Sequence, residues 1–167
     1  QQRPATARAS ASERRPGSSR GHDRFRFPPA QPRMLVLTPT RELALQVTAA
    51  TEKYGRQLHQ VRAVAILGGM PYPKQMELLG RNPEILVATP GRLIDHMSSG
   101  KIDFSQLQIL VLDEADRMLD MGFIEDIERI VAATPSARQT LLFSATLDGT
   151  VGDMAQRMTR SALSIQV

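Results

Sequence analysis

"ILVLDEADRMLD" (109–120) sets four consecutive apolar residues directly in front of three acids within four positions. A short run that is apolar throughout, rather than alternating, fits a strand buried on both faces, as in parallel sheets covered by helices. Comparable runs occur at "MLVLT" (34–38), "VRAVAIL" (61–67), "EILVAT" (84–89), "QTLLFSA" (139–145) and "ALSIQV" (162–167). Between them lie helical stretches such as "RELALQVTAATEKYGRQL", "KQMELLG", "GFIEDIERIVAAT" and "DGTVGDMAQRMTR". The alternation predicts an α/β fold: an open, doubly wound parallel sheet flanked by helices. Ligands of such sheets sit beyond the carboxyl ends of the strands, so the polar residues at those ends belong together.

The charge is unevenly spread. Residues 1–33 hold eight Arg against Glu13 and Asp23, which gives +6, while residues 34–167 carry 13 basic and 15 acidic side chains, which gives −2. The first segment is rich in Arg, Ala, Ser and Pro and nearly free of aliphatic residues. It cannot bury enough apolar surface to offset its ordering entropy, so a disordered tail is expected over 1–33 and one folded domain over 34–167. The tail reads either as a solvated segment or as an RNA-binding arm. Any nucleic-acid grip by the near-neutral domain has to come from individually placed residues. The chain has no cysteine, which excludes disulfides and thiolate metal sites and is compatible with the cytoplasm. Its histidines, His22, His59 and His96, are too scattered for a metal set. No run is apolar over the length of a membrane span. Aromatics are few, five Phe and two Tyr, so backbone contact is a better-supplied mode of recognition than base stacking.

Two strand ends echo each other: "LVLTPTREL" (35–43) and "LVATPGRL" (86–93) each run strand, Thr, Pro, a small residue, Arg and helix. Thr suits a helix N-cap and Pro the first helical position, and free amides there favour an anion. Arg41 and Arg92 add a guanidinium at the same offset, suited to phosphate oxygens. The structural reading of each copy alone is a capped helix with a solvated Arg. Gly68 and Gly69 end a third strand, either as a plain turn or as backbone that a ligand approaches closely. Asp113 and Glu114 end a fourth. A carboxylate there suits Mg²⁺ held through water, and Glu114 is placed to orient or deprotonate a water attacking phosphate. The structural alternative, acids offsetting a helix dipole, accounts for one acid better than for three. Ser144 and Thr146 end a fifth strand, with Thr146 as a helix cap or with both hydroxyls bonded to Asp116.

"PTRELALQ" (39–46), "GG" (68–69), "TPGRL" (89–93), "DEAD" (113–116) and "SAT" (144–146), in this order, resemble the first RecA-like domain of DEAD-box RNA helicases. The stretch "VLDEADRMLDMGF" (111–123) looks like bacterial members of the RhlE type. The resemblance covers about residues 33–167. It implies an ATP-dependent helicase that hydrolyses ATP and separates short RNA duplexes in the cytoplasm. It also implies roles. Asp113 would hold Mg²⁺ through water and Glu114 would position the hydrolytic water, while Ser144 and Thr146 would link hydrolysis to strand separation through Asp116. Pro39, Thr40, Arg41, Gly68, Gly69, Thr89, Pro90, Gly91 and Arg92 would line the RNA path.

The same resemblance defines what the sequence lacks. A family member carries a Gly-rich phosphate loop ending in Gly-Lys-Thr upstream of "PTREL", preceded by a Gln motif that reads adenine. Here the first lysine is Lys53, and Gly-Lys-Thr occurs nowhere. A partial RecA-like domain without its phosphate-loop strand is therefore expected, and the second RecA-like domain is absent from the chain. Nucleotide binding is correspondingly doubtful. The Arg/Ala/Pro/Ser bias of residues 1 to about 30 matches what off-frame GC-rich coding or a different junction gives, and a first residue of Gln1 fits a fragment or processed product. Two functions follow: a fragment of an RNA helicase, inactive alone, or a non-catalytic RNA-binding module that uses the gripping loops without ATP.

Overall fold

The computed structural model describes residues 27–167. Five strands of four residues form one parallel sheet: β1 (Met34–Leu37), β2 (Ala63–Ile66), β3 (Ile85–Ala88), β4 (Ile109–Leu112) and β5 (Gln139–Leu142), in the order β2-β3-β1-β4-β5. Six helices connect and follow them: α1 (Arg41–Tyr54), α2 (Tyr72–Gly80), α3 (Pro90–Ser98), α4 (Ala115–Asp120), α5 (Ile124–Ala132) and α6 (Gly149–Met158). The register is flush. Ala63, Ile85, Met34, Ile109 and Gln139 form the first row across the sheet, and Ile66, Ala88, Leu37, Leu112 and Leu142 form the last. All five carboxyl ends therefore open at one level. Each apolar run of the sequence contains the strand expected of it, except the last.

Alternate residues of each strand enter different cores, as the period of two requires. Leu35, Leu37, Ile66, Leu86, Leu110 and Leu112 face one side, where Leu79 of α2, Leu93 of α3, Met118 of α4, Ile127 and Ile130 of α5 and Met154 of α6 pack on them. Val36, Ala65, Leu67, Val87 and Val111 face the other side, where the helical partner is α1 through Ala44 and Val47. Both faces carry helix, but unequally among the described residues. Met34, Ile109 and Leu141, beneath the thinner cover, are only partly buried.

Two boundaries differ from expectation. Most of the expected tail, residues 1–26, lies outside the described residues, but 30–33 are packed chain. Ala30 is buried and bridges in parallel to Ile102, donating to the Lys101 carbonyl and accepting from the Asp103 amide at 2.9 Å each. Gln31 is held by Asn82 and Asp103 at 2.8 Å. At the other end, "ALSIQV" is not a strand. Leu163, Ile165 and Val167 are exposed, and residues 162–167 hold no regular structure. A strand exists only when its backbone groups are paired. This segment pairs with none, and β5 is left as the sheet's edge among the described residues.

Candidate nucleic-acid interface and acidic cavity

The strand order sorts the chemistry into two halves. The ends of β2, β3 and β1 lie side by side and carry the glycines and arginines; the ends of β4 and β5 carry the acids and hydroxyls.

On the first half, the two Thr-Pro-x-Arg copies start their helices differently. After β1, Thr38 is buried, its amide bonding the Ala88 carbonyl at 3.0 Å, and Pro39 is buried behind it. The cap is Thr40, whose Oγ1 accepts from the Leu43 amide at 3.3 Å, so Arg41 is the first helical residue. After β3 the cap is Thr89, Pro90 is the first helical residue and Arg92 the third. The expected equivalence of the first Thr and of Pro in both copies is therefore corrected. A hydroxyl at position 40 can cap; Gly91, in the corresponding place, has none, and its helix begins two residues earlier in the motif. Pro39 and Pro90 are buried and set the direction of the chain, whereas Arg41 and Gly91 are exposed.

Both arginines nevertheless reach the same turn. Gly69 has φ +79, a left-handed conformation that costs other residues roughly 1–2 kcal/mol, and a Cβ there would stand 3.4 Å from Arg41 Nη1. Arg92 Nη1 donates to the Met70 carbonyl at 3.4 Å, and its Nε lies 3.7 Å from Asp95. Gly68 and Gly91 differ from Gly69: neither has a positive φ, and a Cβ on either would meet none of the described residues within 4 Å. The fold does not require glycine at these two positions. They leave open surface next to two guanidiniums, an arrangement able to admit a sugar-phosphate backbone.

Beneath this edge lies a polar network that the sequence reading missed. Gln75 of α2 and His96 of α3 are both fully buried. Gln75 Nε2 donates to the Met70 carbonyl at 2.7 Å, and its Oε1 faces His96 Nε2 at 3.2 Å. The Tyr72 ring stacks on the imidazole with centroids 4.9 Å apart and planes 12° off parallel. Burial, and then the neighbouring Arg92 charge, hold the His96 pKa below its ordinary value. The signal was available as helical spacing: Gln75 stands four residues before Leu79, and His96 three after Leu93, each on the apolar face.

On the second half, the Asp113 amide donates to the Leu37 carbonyl at 3.0 Å, which extends the sheet by one bond and fixes the carboxylate at its rim. Asp113 Oδ1 accepts from the Glu114 amide at 3.0 Å. Burial raises the Asp113 pKa; the Glu114 amide opposes the rise and the Glu114 charge adds to it. Glu114 has φ 49 and ψ 55, left-handed backbone that a non-glycine residue holds only under constraint. The constraint is visible: the next amide, of Ala115, bonds the Phe143 carbonyl at 2.9 Å, and Ala115 is buried. Arg117 Nη1 lies 3.3 Å from the Glu114 carboxylate.

Ser144 does join the acidic segment to β5, but through backbone. Its Oγ accepts from the Asp116 amide at 3.2 Å and from the Thr146 amide at 3.4 Å. The Asp116 carboxylate instead accepts from the Arg117 amide at 3.0 Å. Among the described residues no bond joins the Thr146 hydroxyl to Asp116, and the cap of α6 is Asp148, so both expectations for that hydroxyl are corrected. The reason is reach: with Ser144 Oγ already between the two segments, the 144–146 turn folds back on its own serine.

Asp113, Glu114, Asp116, Ser144, Thr146 and Asp148 line a cavity of about 880 Å³, whose wall also includes Ile165–Val167. Mg²⁺ fits the donor set, since this ion keeps most of its waters and takes one or two carboxylates; Asp113, with one oxygen uncommitted to backbone, would hold it through water. A nucleoside triphosphate does not fit. Among the described residues four carboxylates line the cavity against one guanidinium, that of Arg117, and the Gly-Lys-Thr of a phosphate loop occurs nowhere in the sequence. Among the described residues there is no cluster of three or more metal-ligating side chains, and no helix is long and apolar enough to cross a membrane.

Comparisons with known proteins place the chain beside DEAD-box helicases. The DEAD/DEAH box helicase family model matches residues 21–154. The ATP-dependent RNA helicase DeaD of Klebsiella pneumoniae is 46% identical over 136 residues, 81% of this chain and 21% of that protein. DeaD of Mycobacterium tuberculosis (strain H37Rv) is 51% identical over 116 residues, 70% of this chain and 21% of that protein. The chain thus spans about a fifth of the length of the curated relatives it matches. Among solved structures, a yeast DEAD-box splicing factor superposes with a TM-score of 0.73 at 35% identity, covering 77% of this chain and 31% of that one. A hypothetical ATP-dependent RNA helicase from Sulfolobus tokodaii gives 0.73 at 44%, covering 78% and 39%.

Proposed function

Because this chain belongs to the DEAD/DEAH box helicase family, we propose that it supplies the strand-gripping edge of a first RecA-like domain and binds single-stranded RNA through its backbone, without regard to sequence. The observation that carries this reading is the convergence of Arg41 and Arg92 on the Gly68–Met70 turn, with Gly68 and Gly91 leaving open surface beside them. Thr40 caps its helix through Oγ1 while Thr89 stands at the start of the other with no side-chain cap bond, and the free amides of both starts add to the anion site. In the parent protein this grip would be coupled to ATP hydrolysis and duplex separation, with Mg²⁺ held by Asp113 through water. Glu114 would position the attacking water there, and the Ser144 bond to the Asp116 amide would relay the state of the cavity to the loop edge. A cytoplasmic location belongs to the same proposal. The acid-rich cavity supports a second statement, about this chain by itself: it acts as an RNA-binding module without ATP turnover.

The test is salt dependence. Arg41→Ala and Arg92→Ala should each weaken binding of short oligoribonucleotides equally across sequences. Each should also flatten the slope of log K against log salt by about 0.7 for every phosphate that is no longer neutralised. Removing residues 1–26 rather than 1–33 is the control for charge in the Arg-rich segment, because 30–33 are packed into the domain. Slopes unchanged in both variants would dismiss the reading.

A further inference from the structure

The buried pair beneath the Gly68–Gly69 turn has a direction built into it. Gln75 Nε2 is committed to the Met70 carbonyl, so Gln75 Oε1 is the oxygen that faces the imidazole, and His96 Nε2 must carry the hydrogen. Nδ1 is then a bare lone pair, and it is buried with no partner among the described residues. An unmatched buried acceptor costs roughly 1–3 kcal/mol. A phenylalanine at 96 would keep the stack on Tyr72 without that cost, so filling space does not account for histidine. What histidine adds is the Nε2–H that fixes the Gln75 amide, and thereby the bond from Gln75 to Met70. The Met70 carbonyl is shared with Arg92, so the chain His96–Gln75–Met70 sets both the turn and the guanidinium beside it.

We propose that Gln75 and His96 are positioning residues for strand binding: neither reaches solvent, and together they hold the Met70 carbonyl, the Gly68–Gly69 turn and the Arg92 side chain ready for the RNA backbone. The inference rests on the RNA-binding reading of that edge. Without the pair the turn samples other conformations, and affinity falls by the fraction of molecules in which it is correctly set. The arginines still meet the phosphates.

Binding of a short oligouridylate to the whole chain, measured across salt concentrations alongside thermal unfolding, tests this. His96→Phe and Gln75→Met should each lower affinity about 3–10-fold with the salt slope unchanged. His96→Gln places an amide donor where Nε2–H stands and should bind within about twofold of the parent chain. Gln75→Met, close to glutamine in volume, covers the case in which His96→Phe does not fold. Parent-like affinity in His96→Phe and Gln75→Met overturns the inference. So does a loss in His96→Gln equal to that in His96→Phe, which would mean that packing alone matters. If instead Arg41→Ala and Arg92→Ala leave the salt slope unaltered, the RNA-binding reading fails and takes this inference with it.

Discussion

Asp113 shows how an acid at the end of a buried strand weighs on stability. Its amide completes the sheet while its carboxylate is carried to a partly buried rim, where desolvation raises its pKa. A carboxyl with a higher pKa folded than unfolded destabilises the fold while ionised, and the cost disappears once pH falls below the unfolded value. Asp113→Asn keeps the oxygen that accepts from the Glu114 amide and removes the charge. The variant should melt above the parent chain at pH 7. The gap should narrow as pH falls through the raised folded pKa and close below the ordinary 3.8. A gap of constant size, or a parent chain that melts higher at pH 7, would contradict the assignment. Residue type alone marked Asp113 and Glu114, because no packing rule places adjacent acids at the end of a buried strand. The left-handed backbone of Glu114 was not legible, since it follows from the tertiary bond between Ala115 and Phe143.

At the scale of elements, the turns and helix starts separate what the fold needs from what the proposed strand binding needs. Gly69→Ala meets a positive φ and the Arg41 guanidinium, and should cost about 1–2 kcal/mol in denaturant unfolding. Gly91→Ala meets neither, and within the first turn of α3 it should be neutral or stabilising by about 0.5 kcal/mol, yet it puts a methyl on the open surface and should weaken RNA binding. Equal stability losses in the two variants would refute the distinction. The strands were legible because their apolar runs are short, unbroken and bounded by turn residues. The helix starts were legible only to within two residues, since Thr-Pro fits two cap positions and the hydroxyl of Thr40 decides between them. Gln75 and His96 were not legible as a pair: spacing places each on an apolar face, but that those faces meet beneath Met70 is a tertiary fact. "ALSIQV" misled because it is a short run rich in strand-forming residues like the others, and propensity cannot supply a missing neighbour.

Across the whole molecule, the two halves of the sheet carry different chemistry: glycines and arginines at one set of strand ends, acids and hydroxyls at the other. Among the described residues the β5 edge is unpaired, the face under α1 is thinly covered, and the cavity holds four acids against one arginine. The chain should therefore show no RNA-stimulated ATP hydrolysis. Turnover by the purified chain that disappears in Glu114→Gln would mean that another segment stands in for the phosphate loop. The flush register carries a separate consequence. Because every strand is four residues long and the five end in one row, the loops above them share a common floor. One residue inserted into any strand would lift its loop by about 3.3 Å and turn the following side chains to the opposite face. Lengths within the strands are therefore locked to one another like the teeth of a comb. This domain can change its chemistry by exchanging residues at the tips, but hardly by adding them below.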